Sequence, residues 1–173
     1  MKLLAIDPGN IESAYVLMDG YKPVEFGKGP NDQMMHILTE KAFDPDGPFN
    51  YDEDPRPHLY VAIEMIASYG MPVGREVFDT CVWIGRFSQI AIANCLPVDY
   101  IYRADVKLNL CGSSRAKDGN VRQALIDRFA RHDMKNGKGT KKDPDWFYGF
   151  RADVWAAYAV GVTWMDARKA ATA

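Results

Sequence analysis

The chain has 173 residues, 47% hydrophobic and 25% charged, a length and balance that suit one α/β domain with a sizeable core. No apolar run approaches the roughly 18 residues of a membrane span. The N-terminal stretch does not read as a signal peptide, and three cysteines without zinc-motif spacing read as buried free thiols in a reducing cytoplasm. The net charge of −2 hides an asymmetry: residues 103–142 carry eleven Lys/Arg against four Asp/Glu, a basic third able to face a polyanion.

Residues 2–7 (KLLAID) read as a short buried strand. Residues 13–18 (SAYVLM) and 23–26 (PVEF) read as two more, joined at the Asp19-Gly20 turn signal, so three antiparallel strands open the chain. A short helix is predicted over 33–42, and 43–58, crowded with Pro, Gly and Asp, reads as an exposed loop. LYVAIE (59–64) is a continuous apolar run that ends on a carboxylate. Residues 74–95 keep helical spacing, with Val77, Cys81, Ile84, Phe87, Ala91 and Cys95 on one inward face. A strand at 97–102 (PVDYIY) precedes a helix at 119–132, with Val121, Ala124, Leu125 and Phe129 inward. The Lys- and Gly-rich segment 133–145 reads as mobile, and a last helix begins near Asp153. This order predicts one α/β domain, 1–173, with a mixed sheet and helices packed on it.

Two strands expected to be central end on an acid, Asp7 after LLAI and Glu64 after YVAI, and Asp153 opens the small-residue helix. A carboxylate at the end of a buried strand is costly unless it is paired or coordinates a cation. Taken singly, Asp7-Pro8-Gly9 is a turn, Glu64 a capping acid and Asp153 an N-terminal helix residue. Taken together, with the first and fourth strands as neighbours, they converge on one sheet edge. Hard oxygen ligands of this kind suit Mg²⁺, which can activate a water for phosphodiester cleavage.

AIDPGN (5–10) followed by SAYVLMD (13–19) resembles the first motif of the RuvC family of Holliday junction resolvases, nucleases of the RNase H-like superfamily. The resemblance continues through VAIEMIASYG (61–70), IANCLPVDYIY (92–102), RADVKLNLCGSSRAKDGNVRQAL (103–125) and ADVWAAYAVG (152–161). Residues 30–58 and 133–148 are the divergent parts. It implies an RNase H-like fold: a mixed five-stranded sheet, three antiparallel strands then parallel ones, flanked by helices. It also implies that Asp7, Glu64 and Asp153 are catalytic metal ligands for Mg²⁺, with Mn²⁺ as a substitute. The family usually has a fourth ligand one helical turn before the final Asp, where this chain has Phe150. In the other alignment Asp153 is the earlier ligand and Ala156 stands where the last Asp belongs. Asp143 and Asp145 are the candidate replacements.

Lys107, Arg115 and Lys117 fall in the segment resembling the family's DNA-contacting region, and Arg122 opens the next helix. Lys138, Lys141 and Lys142 form a basic loop suited to a second DNA arm, Tyr69 matches an aromatic that wedges at a junction centre, and Asp118 reads as a helix cap. Spare apolar residues on helix 74–95 suit a symmetric homodimer, which two symmetric cuts across a four-way junction require. The resemblance therefore implies a Mg²⁺-dependent endonuclease of four-way or other branched DNA in a bacterial or phage-infected cytoplasm, and the compact chain suggests a phage-type member. Other readings are an RNA-processing nuclease of the YqgF type, a branched-DNA-binding module without activity, and an actin-like ATPase, for which the chain is short.

Overall fold

The computed structural model describes residues 1–43, 57–68, 70 and 72–171. Tyr69 and most of the Pro/Asp-rich segment 43–58 lie outside the described residues. Strands β1 (Lys2–Asp7), β2 (Glu12–Asp19) and β3 (Lys22–Pro30) are antiparallel neighbours. β4 (Tyr60–Met65) runs parallel beside β1, and β5 (Val98–Tyr102) runs parallel beside β4. The sheet order is β3-β2-β1-β4-β5, the five-stranded mixed sheet expected of an RNase H-like α/β fold.

β1 is central and buried on both faces, which explains its unbroken apolar run. Leu4 and Ile6 face helices α1 (Asn31–Ala42) and α2 (Arg75–Ala93). Leu3 and Ala5 face the other layer, built from α3 (Arg103–Cys111), α4 (Asp118–Phe129) and α5 (Val154–Ala171). α5 is buried along most of its length, so its sequence is apolar nearly all round. Gly161 is its point of closest approach to the sheet: a Cβ there would run into Met18 Sδ and stand 3.1 Å from Ala5 Cβ.

Four expectations need correction. Residues 103–111 form a helix, α3, which was not predicted because Ala104, Val106, Leu108 and Leu110 alternate with polar residues as in a strand; Gly112, left-handed at φ 67°, ends it. The helix expected at 119–132 runs from Asp118 to Phe129, so Asp118 is its first residue and not its cap. The inward face of α2 is Thr80, Ile84, Phe87, Ser88 and Ala91, which leaves Cys81 and Cys95 exposed and Cys111 half-buried: free thiols, but not a buried set.

The segment 133–145 is a folded loop. The Asp145 carboxylate accepts four backbone N–H groups, from Arg131, His132, Asp133 and Trp146, at 2.7–2.9 Å. Asp133 accepts those of Asn136, Lys138 and Gly139. These two acids satisfy backbone donors that a Lys/Gly-rich segment would otherwise leave to water.

Two substitutions test this packing by thermal unfolding. Gly161→Val is expected to cost about 2 kcal/mol by forcing α5 off the sheet. Asp145→Ala, which strands four part-buried N–H donors, is expected to cost about 2 kcal/mol. A stability within experimental error of the parent for either would contradict the corresponding contact.

Candidate active site

Strand register builds the site. Lys28 on β3 is opposite Ala14 on β2, which is opposite Asp7 on β1. Ile6 pairs with Ile63 in the parallel β1–β4 ladder, so the next residues, Asp7 and Glu64, emerge side by side. Glu64 is in turn opposite Ile101 on β5. Because side chains in one cross-strand row share a face, Lys28, Asp7 and Glu64 all project toward the α5 layer. Asp153 reaches the same edge from the turn before α5, where Ala152 takes φ 38°, a conformation uncommon for a residue with a Cβ.

The chain turns away sharply after Asp7. A Cβ on Gly9 would collide with the carbonyl of Glu12, so only glycine fits this bend. Asn31 Nδ2 donates to the Gly9 carbonyl at 2.9 Å, and Ser13 Oγ donates to Asn31 Oδ1 at 2.6 Å. Ser13 and Asn31 are both buried, so the bend is fixed from behind by a closed polar pair.

Burial pushes the Asp7 carboxyl up to about 8; Glu64 and then Asp153 add to the rise, while Arg103 and Lys28 oppose it without prevailing. No described residue gives this carboxylate a hydrogen bond or an ion pair. Glu64 is also raised, by burial first, although Arg103 donates to its Oε2 at 3.3 Å. The other end of Arg103 holds Asp118 at 2.6 Å, which is the work of the acid expected to cap α4. Lys28 Nζ joins Asp153 at 2.8 Å and Glu12 at 3.2 Å.

The three acids singled out in the sequence are thus electrostatic neighbours at one sheet edge. They do not close on a single point: among the described residues, no three His, Cys, Asp or Glu side chains are arranged to hold one metal ion. Asp7 and Glu64 supply the oxygen donors a hard divalent cation takes, and the partnerless buried Asp7 fits that role. Asp153 is engaged by Lys28.

Of the candidate fourth ligands, Asp145 is consumed by the loop, where its backbone donors outweigh burial and hold its carboxyl well below the usual range. Asp143 is exposed and lies 3.5 Å from His132 Nε2. Phe150 is fully buried, ring to ring with Phe26, Phe147, Trp155 and Tyr158.

Among the basic residues, Lys107 is close enough to act on Glu64. Arg115 and Lys117 are exposed in and beside the α3–α4 connection, where the Lys117 N–H donates to Asn120 Oδ1. The Arg122 guanidinium lies 4.7 Å from the centre of the Trp155 ring, a stacking contact at the start of α5. Sequence reasoning missed Lys28, Glu12 and Arg103. Arg103 directly follows β5, the strand parallel to the one that carries Glu64, and that adjacency was the available signal.

A carboxyl whose folded value exceeds its unfolded one makes the protein take up a proton on folding, so stability falls as pH rises from about 4 to about 8. Asp7→Asn removes that loss. In metal-free buffer at pH 8 it is expected to stabilise the chain by about 2 kcal/mol in chemical denaturation, with the gain vanishing below about pH 4. A destabilised Asp7→Asn at pH 8 would contradict the buried, unpaired state of this group.

The sequence matches no family model and no curated protein. Among solved structures, Thermus thermophilus RuvC aligns with a TM-score of 0.61 and 17% identity over 98% of this chain and 97% of that one. T. thermophilus RuvC in complex with Holliday junction substrate aligns with a TM-score of 0.62, also at 17% identity, over 98% and 96%. The described residues take the fold of RuvC.

Proposed function

We propose that this chain is a metal-dependent, structure-selective DNA endonuclease that cuts four-way and other branched junctions as a homodimer. The observation that carries the reading is the juxtaposition of Asp7 and Glu64 at the ends of adjacent parallel strands, with Asp153 beside them, on a RuvC fold. One of the RuvC structures that shares the fold was solved with Holliday junction substrate, which favours branched DNA as the substrate class.

Bound Mg²⁺, or Mn²⁺ in its place, would supply a Lewis acid and an activated water for phosphodiester hydrolysis. The protein's own part is positional. Asp7 and Glu64 hold the oxygen donors on rigid strands, and Arg103 orients Glu64. Lys107, Arg115, Lys117 and Arg122 line the α3–α4 side with positive charge for the phosphates, as do Lys138, Lys141 and Lys142 on the folded loop. Tyr69 keeps its proposed role as a wedge at the junction centre.

The homodimer is supported by α2. Phe78, Val82 and Ile92 are 61%, 55% and 57% exposed and fall on one stripe, with Gly85 and the polar Gln89 between them. An apolar stripe with a small residue at its middle suits a second copy of the same helix across a two-fold axis. Sedimentation at micromolar concentration should give a dimer, and Val82→Glu a folded monomer. A wild-type monomer under those conditions would contradict the dimer.

The substrate reading is tested with labelled four-way junction, linear duplex and RNA hairpin, each with Mg²⁺ or EDTA. Wild type is expected to nick the junction symmetrically and only with metal, whereas Asp7→Asn binds the junction but loses at least about 10³-fold in cleavage rate. Cleavage that survives Asp7→Asn or EDTA would overturn the proposal. Tight junction binding without cleavage in either metal would support the non-catalytic module, the reading favoured by Phe150 standing where a fourth ligand is expected.

A further inference from the structure

The site carries a cation of its own. Lys28 lies in the same cross-strand row as Asp7, two strands away and on the same face. Its ammonium is 2.8 Å from Asp153 Oδ2 and 3.2 Å from Glu12 Oε2, a position between two carboxylates where a metal ion would otherwise be attracted. Glu12 starts β2 just after the Gly9 bend, so the bend that frees space beside Asp7 also delivers one of the two acids that hold Lys28.

The charge balance limits how many ions the edge can take. Asp7, Glu12, Glu64, Asp118 and Asp153 face Lys28, Arg103 and Lys107, a formal balance of −2 when all are ionised. One divalent ion cancels this, whereas a second would reverse the balance with no added donor. The donor count agrees: Phe150 is sealed in the aromatic core, and Ala156 offers no ligand.

We propose that Lys28 is the built-in counter-ion of this edge: it neutralises Asp153 and Glu12, so that the chain holds one divalent ion, on Asp7 and Glu64, and the ammonium stands where a second ion would bind. Lys28 is a positioning residue for Asp153. This rests on the nuclease reading and specifies the metal content of that same site.

Mn²⁺ titration of the full chain without DNA, following the free-ion signal by electron paramagnetic resonance, tests it. Wild type is expected to bind one ion per chain. Asp153→Asn should keep that ion with affinity within about fivefold, because Asp153 belongs to Lys28. Lys28→Met should gain a second, weaker ion, and Lys28→Arg should not. Two ions on wild type, a loss of tenfold or more in Asp153→Asn, or no added ion in Lys28→Met would overturn the role of Lys28. No binding to wild type at millimolar Mn²⁺ would instead sink the metal-dependent nuclease reading itself, so the two failures are distinguishable. Circular dichroism confirms the fold of each variant, and Asp153→Asn decides the matter even if Lys28→Met does not fold.

Discussion

Two carboxylates set side by side by the parallel pairing of β1 and β4 are the constraint around which the rest of the molecule is arranged. Ile6 and Ile63 pair in the ladder, so Asp7 and Glu64 have to emerge together at the edge, both substantially buried. Two like charges in such a place repel each other and resist ionisation. The leading charges that ease the strain on Asp7 are Arg103 and Lys28, and each is ion-paired to other acids. A fold optimised for stability alone would put apolar residues there, so the two acids sit at this edge at a cost in stability.

The scaffold behind this edge is correspondingly stiff. The Gly9 bend is tied by Ser13 and Asn31, α5 is seated on β1 and β2 at Gly161, and the turn that presents Asp153 includes a strained Ala152. Farther along α5, Asp166 accepts both guanidinium nitrogens of Arg128 at 2.7 Å, together with Tyr21 and Asn109, which fixes α3 and α4 to the same helix. The acids are therefore carried on elements tied together behind them, which holds the like charges of this edge close in the folded chain.

The strands and the three acids were legible because their signals are local: an apolar run that ends on a carboxylate reads the same in any context. The α/β class with a mixed sheet followed from the order of elements, and the RNase H-like topology from the resemblance to the RuvC family. What escaped the sequence depends on contacts between distant residues. α3 was hidden by a two-residue alternation that packing overrides. The loop at 133–145 is ordered by Asp133 and Asp145, whose backbone partners extend from Arg131 to Trp146, and no composition rule anticipates that nest. The rotation of α2, and with it the exposure of Cys81 and Cys95, is set by which face meets β4 and α1. Lys28 and Glu12 looked like ordinary surface charges until strand register put Lys28 in the row of Asp7 and an ion pair tied Glu12 to it.

The dependence of stability on pH, measured with and without Mg²⁺, tests this arrangement most directly. In metal-free buffer, wild-type stability from chemical denaturation should fall between about pH 4 and about pH 8 as Asp7 is forced to ionise. With millimolar Mg²⁺ the fall should flatten or reverse toward pH 8, because the ion binds the ionised pair and so favours the folded state. The same decline with and without Mg²⁺ would mean that the carboxylates of this edge are not built for a cation.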